Sequence, residues 1–109
     1  MARTGPASWT FLTNHAHTLI CLAREPDAVL REVATEVGIT ERAVHNIISD
    51  LEACGVLTRV REGRRNHYLI NMESPLRHPL EAHCTLSELV AMVERKPARR
   101  TSRTAKRAG

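Results

Sequence analysis

Arg42, His45, Asn46 and Ser49 stand between the apolar positions of a helical segment and so occupy its outward face. All four are short or polar enough to meet base edges and phosphates. Farther along, Arg59, Arg61, Arg64 and Arg65 crowd one short excursion around Gly63. Four guanidinium groups held so close repel one another unless something anionic is near, and their planar forks match phosphate oxygens. The chemistry on offer is recognition of an anion rather than bond making.

Nothing in the sequence supplies a catalytic constellation. There is no glycine-rich phosphate loop, no G-x-S-x-G, no H-E-x-x-H, and no pair of carboxylates in a pocket-like segment. No enzyme activity and no cofactor are expected. Zinc-type ligands do occur: His17 and Cys21, four residues apart, share a face of the first helix, and His78, His83 and Cys84 gather in a Pro-bounded segment. There is no Cys-x-Cys pair, and isolated His and Cys more often serve as ordinary surface or core residues, so no metal site is assigned. Cys21, Cys54 and Cys84 are odd in number and widely spaced. That pattern is neither a disulfide framework nor a zinc ribbon, and it points to a reducing compartment.

The elements that must position these side chains follow from periodicity. Leu12, Ala16, Leu19, Ile20 and Ala23 form the stripe of an amphipathic helix over 13–24, capped by Thr13 or Asn14 and stopped by Pro26. Leu22 falls off that stripe and is read as facing a partner. A short extended stretch at 28–30 precedes a brief helix over 31–37, with Val33, Ala34 and Val37 inward, closed by Gly38. Thr40 then caps a second helix whose buried stripe is Ala43, Val44, Ile47, Ile48 and Leu51, with Glu41 at the positive end of its dipole. Strands over 57–61 and 67–70 flank a turn at 62–66, where Gly63 and Asn66 tolerate positive φ. An irregular connection leads to Thr85 and Glu88, which have capping-box spacing. The final helix carries the seam Leu86, Leu89, Val90 and Val93 and ends near Arg95.

Length and charge set the boundaries. A chain of 109 residues with one Trp, one Tyr and one Phe must build one aliphatic core, and so small a core is naturally completed by a second copy. The net charge of +4 is unevenly spread. From Arg95 onward there are seven basic residues and no acidic one, whereas residues 1–94 carry about −3. The expected organisation is an N-terminal extension (1–12), a folded domain (13–71), a connection with a C-terminal dimerisation helix (72–95) and a basic disordered tail (96–109). No signal-peptide run and no membrane-length apolar stretch is present, so a cytoplasmic location is expected.

The run from Leu30 to Arg59, followed by the basic hairpin, closely resembles the winged helix-turn-helix of ArsR-type and MarR-type bacterial regulators. The resemblance rests on Ala34, the turn Gly38-Ile39-Thr40, the apolar Ile47, Ile48 and Leu51, the ending Leu51-Glu52-Ala53-Cys54-Gly55-Val56-Leu57 and the wing at 61–67. It implies a mainly α fold with a small β-hairpin: a winged helix-turn-helix three-helix core plus a C-terminal helix. It also implies a sequence-specific, duplex-DNA-binding transcriptional regulator acting as a homodimer. Thr40, Arg42, His45, Asn46 and Ser49 would then enter the major groove, Arg42 suited to guanine and Asn46 to adenine, with Arg61, Arg64 and Arg65 on the backbone or minor groove. Leu22, Leu86, Leu89, Val90 and Val93 would form the dimer contact. A winged helix used for protein contacts, or nonspecific DNA binding driven by the tail, would use the same elements differently.

Overall fold

The computed structural model describes residues 9–95. The basic tail, including its expected disorder, lies outside them. The order is α1 (Asn14–Arg24), α2 (Leu30–Val37), α3 (Glu41–Ala53), β1 (Leu57–Glu62), β2 (Arg65–Ile70) and α4 (Leu86–Glu94). It is a mainly α fold with one two-stranded antiparallel hairpin.

Local chemistry fixes the helix ends. The Thr13 hydroxyl accepts from the Ala16 amide at the start of α1, and the Thr40 hydroxyl accepts from the Ala43 amide at the start of α3. Between α2 and α3 the chain turns on Gly38, whose φ of 90° is costly for any residue with a Cβ. The amides of Gly38 and Ile39 both close on the Ala34 carbonyl. α2 begins at Leu30 rather than at the position after it, because Leu30 is buried as a core residue of the first turn instead of ending a strand.

The chain divides into two units at residues 72 and 73. In the first, α2 packs on both α3 and α1, and α1 also reaches α3 and β2. These three contacts bury more of α1 than a single stripe. Thr18, Leu19, Ile20, Cys21 and Leu22 are all buried, whereas Leu12, Ala16 and Ala23 are only half-buried. Leu22 is 0% exposed. The expectation that it faces a partner is therefore wrong: it is already enclosed by its own chain, a burial that contributes roughly 1.5–3 kcal/mol.

Thr18 is also 0% exposed, and among the described residues its hydroxyl has no hydrogen-bond partner. A buried, unsatisfied hydroxyl costs about 1–3 kcal/mol. Thr18→Val, which keeps the shape and removes the orphaned group, is expected to stabilise the fold by about 1 kcal/mol. Thermal unfolding checks this, and a lower Tm in the variant would contradict it.

The hairpin is tighter than the sequence suggests. Glu62 pairs with Arg65 and Arg61 with Asn66, so the loop is Gly63-Arg64 and Asn66 belongs to β2. Gly63, at φ 64°, supplies the left-handed residue such a short turn requires. The Tyr68 amide donates to the Pro26 carbonyl at 2.9 Å, which docks the α1–α2 loop on the free edge of β2.

In the second unit the connection is ordered by its own hydrogen bonds. The Leu76 amide donates to the Cys84 carbonyl and the Leu86 amide to the Ser74 carbonyl, both at 2.9 Å, around a Pro75–Thr85 bridge. The capping box of α4 is complete: the Glu88 amide donates to Thr85 Oγ1, and the Thr85 amide to Glu88 Oε1.

Candidate nucleic-acid interface

The buried stripe Val44, Ile47, Ile48 and Leu51 anchors α3 against the first unit's core and turns the opposite face outward. Arg42, His45, Asn46 and Ser49 are all exposed on that face, at i, i+3, i+4 and i+7. Among the described residues, Arg42, Asn46 and Ser49 make no side-chain hydrogen bond or ion pair. His45 stands 3.7 Å from Glu41, one turn earlier. Thr40 is exposed too, but its oxygen accepts from the Ala43 amide at 3.0 Å, leaving its O–H and one lone pair to face outward.

The hairpin presents fewer free guanidinium groups than its composition suggests. Arg59 folds back onto α3, with its Nε and Nη2 donating to the two carboxylate oxygens of Glu52 at 3.2 and 3.1 Å. This bidentate pair fixes the strand to the helix instead of adding to the basic tip. Arg61 Nε donates to the Gly63 carbonyl at 2.9 Å and braces the turn. Arg64 and Arg65 are exposed and have no side-chain partner among the described residues. The charge available to an external anion is thus concentrated at the tip.

Most of the acidic residues around this face are engaged. Asp50 is bonded to His15 of α1 at 2.9 Å, Glu41 faces His45, and Glu52 is paired with Arg59. Exposed pairs of this kind contribute little stability, but they set which side chains remain to meet a ligand. Arg31, in the first turn of α2, is exposed as well and places a further cation on the helix that precedes α3.

Within the α4 seam, Leu86 and Val90 are 5% and 7% exposed in the single chain, so they are not free for a partner. Leu89 and Val93 are half-buried, and Met92, absent from the sequence-derived seam, is 55% exposed. The surface that α4 could offer a second copy is therefore Leu89, Met92 and Val93.

Of the histidines and cysteines noted as zinc-type ligands, His17, Cys21 and His78 are engaged otherwise. His17 Nδ1 pairs with the Asn14 side chain, and Cys21 Sγ donates to Glu36 Oε1 at 3.6 Å. Burial, with the nearby charge of Glu36 and that hydrogen bond, pushes the Cys21 thiol up to about 11, so it remains protonated at neutral pH. His78 Nδ1 accepts from the Leu80 amide.

Residues 15–58 match the winged helix-turn-helix DNA-binding family. Among solved structures the chain is similar to that of the PcaV transcriptional regulator from Streptomyces coelicolor in complex with its natural ligand. The TM-score is 0.51 at 24% sequence identity, covering 75% of this chain and 60% of that one. At that identity the likeness speaks for the fold. No curated protein matches the chain.

Proposed function

We propose that this chain, which carries a winged helix-turn-helix DNA-binding domain over residues 15–58, is a sequence-specific duplex-DNA-binding transcriptional regulator. One observation carries the reading: an exposed α3 face of Arg42, Asn46 and Ser49 together with a hairpin tip bearing Arg64 and Arg65, all five without a side-chain partner among the described residues. An α-helix fits the major groove of B-DNA, whose base edges the first three residues would read, while the wing arginines reach phosphates or the minor groove. His45 and the Thr40 hydroxyl add polar contacts, Arg61 braces the wing, and Arg31 holds backbone phosphate. This assignment needs no catalytic group and no cofactor, and it fits a cytoplasmic protein. Selection of bound sequences from a random duplex pool tests it. A recovered consensus supports sequence-specific recognition. Equal recovery of all sequences would indicate nonspecific binding, and no binding would indicate a protein-contact module.

Replacing Arg64 and Arg65 together with Ala is expected to lower affinity on every duplex. The slope of log K against log salt should shrink by up to about 0.9 for each lost phosphate contact. Binding isotherms at several salt concentrations measure it, and an unchanged slope would take the wing out of the interface.

The regulator acts as a two-fold homodimer in this reading, joined through the first and last helices. It would then bind inverted half-sites about one helical turn, or ~34 Å, apart. The exposed Met92 beside half-buried Leu89 and Val93, and the exposed Trp9 and Phe11 ahead of α1, supply apolar surface for this contact. Leu89→Glu with Val93→Glu is expected to give a monomer that binds DNA poorly. Sedimentation of a wild-type monomer at micromolar concentration would contradict the dimer.

A further inference from the structure

Asp27 in the α1–α2 loop, Glu62 at the end of β1 and His67 on β2 each bring one ligand atom to within 4.8 Å of the other two. His67 Nδ1 and Asp27 Oδ1 are 2.5 Å apart. Glu62 converges on this pair although the hairpin also carries Arg61, Arg64 and Arg65, and among the described residues it makes no hydrogen bond or ion pair with any of them. Two carboxylates drawn together in this way repel each other, and a cation held between them relieves that repulsion.

We propose that Asp27, Glu62 and His67 bind one divalent first-row transition-metal ion, which fastens the wing to the α1–α2 loop. One imidazole nitrogen with two carboxylate oxygens and no thiolate is a donor set for zinc, manganese, cobalt or nickel rather than for copper(I) or an iron–sulfur cluster. The backbone already places the ligands, since the Tyr68 amide and the Pro26 carbonyl, each next in sequence to a ligand, are hydrogen-bonded at 2.9 Å. Metal–ligand bonds of about 2.1 Å put two ligand atoms of one shell at most about 4.2 Å apart. Rotation of the exposed Asp27 and Glu62 side chains closes the remaining gap. Coordination through the same two atoms replaces the His67–Asp27 hydrogen bond: the Nδ1 proton leaves to solvent or to Nε2, and the neutral imidazole that binds the ion carries its one proton on Nε2. Asp27 also lines an open recess of about 360 Å³ with Glu25, Glu32 and Arg65, through which water completes the shell.

The test is a calorimetric titration of the full chain with Zn²⁺ alone, in wild type, H67Q and E62Q. It is accompanied by NMR of the His67 ring and of amide exchange at Tyr68. One Zn²⁺ per chain is expected, with affinity falling at least about tenfold in each variant, perturbation of the His67 ring, and slower exchange of the Tyr68 amide when the ion is bound. Glu62 is exposed and partner-free among the described residues, so E62Q keeps the comparison valid even where H67Q unfolds. Zn²⁺ binding of equal strength in wild type and E62Q, perturbations confined to Cys54, His78, His83 and Cys84, or no saturable binding would each overturn the proposal. None of these readouts uses DNA, so the site stands or falls apart from the DNA-binding reading.

Discussion

Leu22→Ala is expected to destabilise the fold by about 2–5 kcal/mol, the range for emptying a fully enclosed leucine site. Leu22 is 0% exposed on a helix that contacts α2, α3 and β2. No single neighbour can collapse into the space without leaving another. Since a domain of this size is held by only about 5–15 kcal/mol, such a loss empties much of the native population at physiological temperature. Leu22→Met, which conserves volume, should cost less than about 1.5 kcal/mol. Leu69→Ala, at a site 49% exposed, should stay within about 0.5 kcal/mol. Urea unfolding with an unchanged m-value measures all three. An interface role for Leu22 predicts the opposite pattern: a folded Leu22→Ala protein of near wild-type stability that sediments as a monomer.

The contrast between Leu22 and Thr40 separates what the sequence made legible from what it did not. Thr40, Gly38 and the Thr85–Glu88 box act on amides and side chains within a few residues of themselves. The helix ends they specify, and with them the turn between α2 and α3 and the start of α4, could be read directly. Leu22, Thr18 and Cys21 could not, because the width of a buried face depends on how many other elements surround the helix. A periodicity argument assumes one such neighbour, and α1 has three. The same reasoning accounts for Leu86 and Val90, whose places in a regular apolar seam do not reveal that the chain itself covers them.

The wing shows the same division in its charges. Its strands were legible from alternation and from Gly63, but the two-residue loop was not, because Asn66 suits a turn as well as it suits the strand it joins. Arg59 was counted with the basic tip because its partner Glu52 lies across the end of α3, where only the packing of the helix against β1 brings them together. Asp27 and His67 are 40 residues apart, and no spacing rule connects them. The local bias of the hairpin toward arginine was readable, whereas the anchoring of individual arginines is a tertiary property. The α3 face differs in this respect: a helix fixes the directions of its own side chains, so Arg42, His45, Asn46 and Ser49 could be placed on one exposed surface from sequence alone.

That face yields the sharpest functional expectation. Arg42→Ala and Asn46→Ala are each expected to cost about 1–3 kcal/mol on the selected duplex and to flatten preference at one base position. On an unrelated duplex Asn46→Ala should change little, because the amide adds no charge and its bidentate bonds form only with a matching base edge. Arg42→Ala also removes a charge, so its loss on the unrelated duplex measures the electrostatic part and the difference between duplexes measures the reading. Arg42→Lys isolates the same quantity in one protein. It keeps the cation but replaces the planar fork with a point charge, so binding to unrelated DNA should persist while base preference falls. Affinities for the selected sequence, for its single-base variants and for an unrelated duplex at one salt concentration separate these terms. A uniform weakening across all duplexes in both alanine variants would place Arg42 and Asn46 on phosphates, and sequence preference would then have to arise elsewhere on the interface.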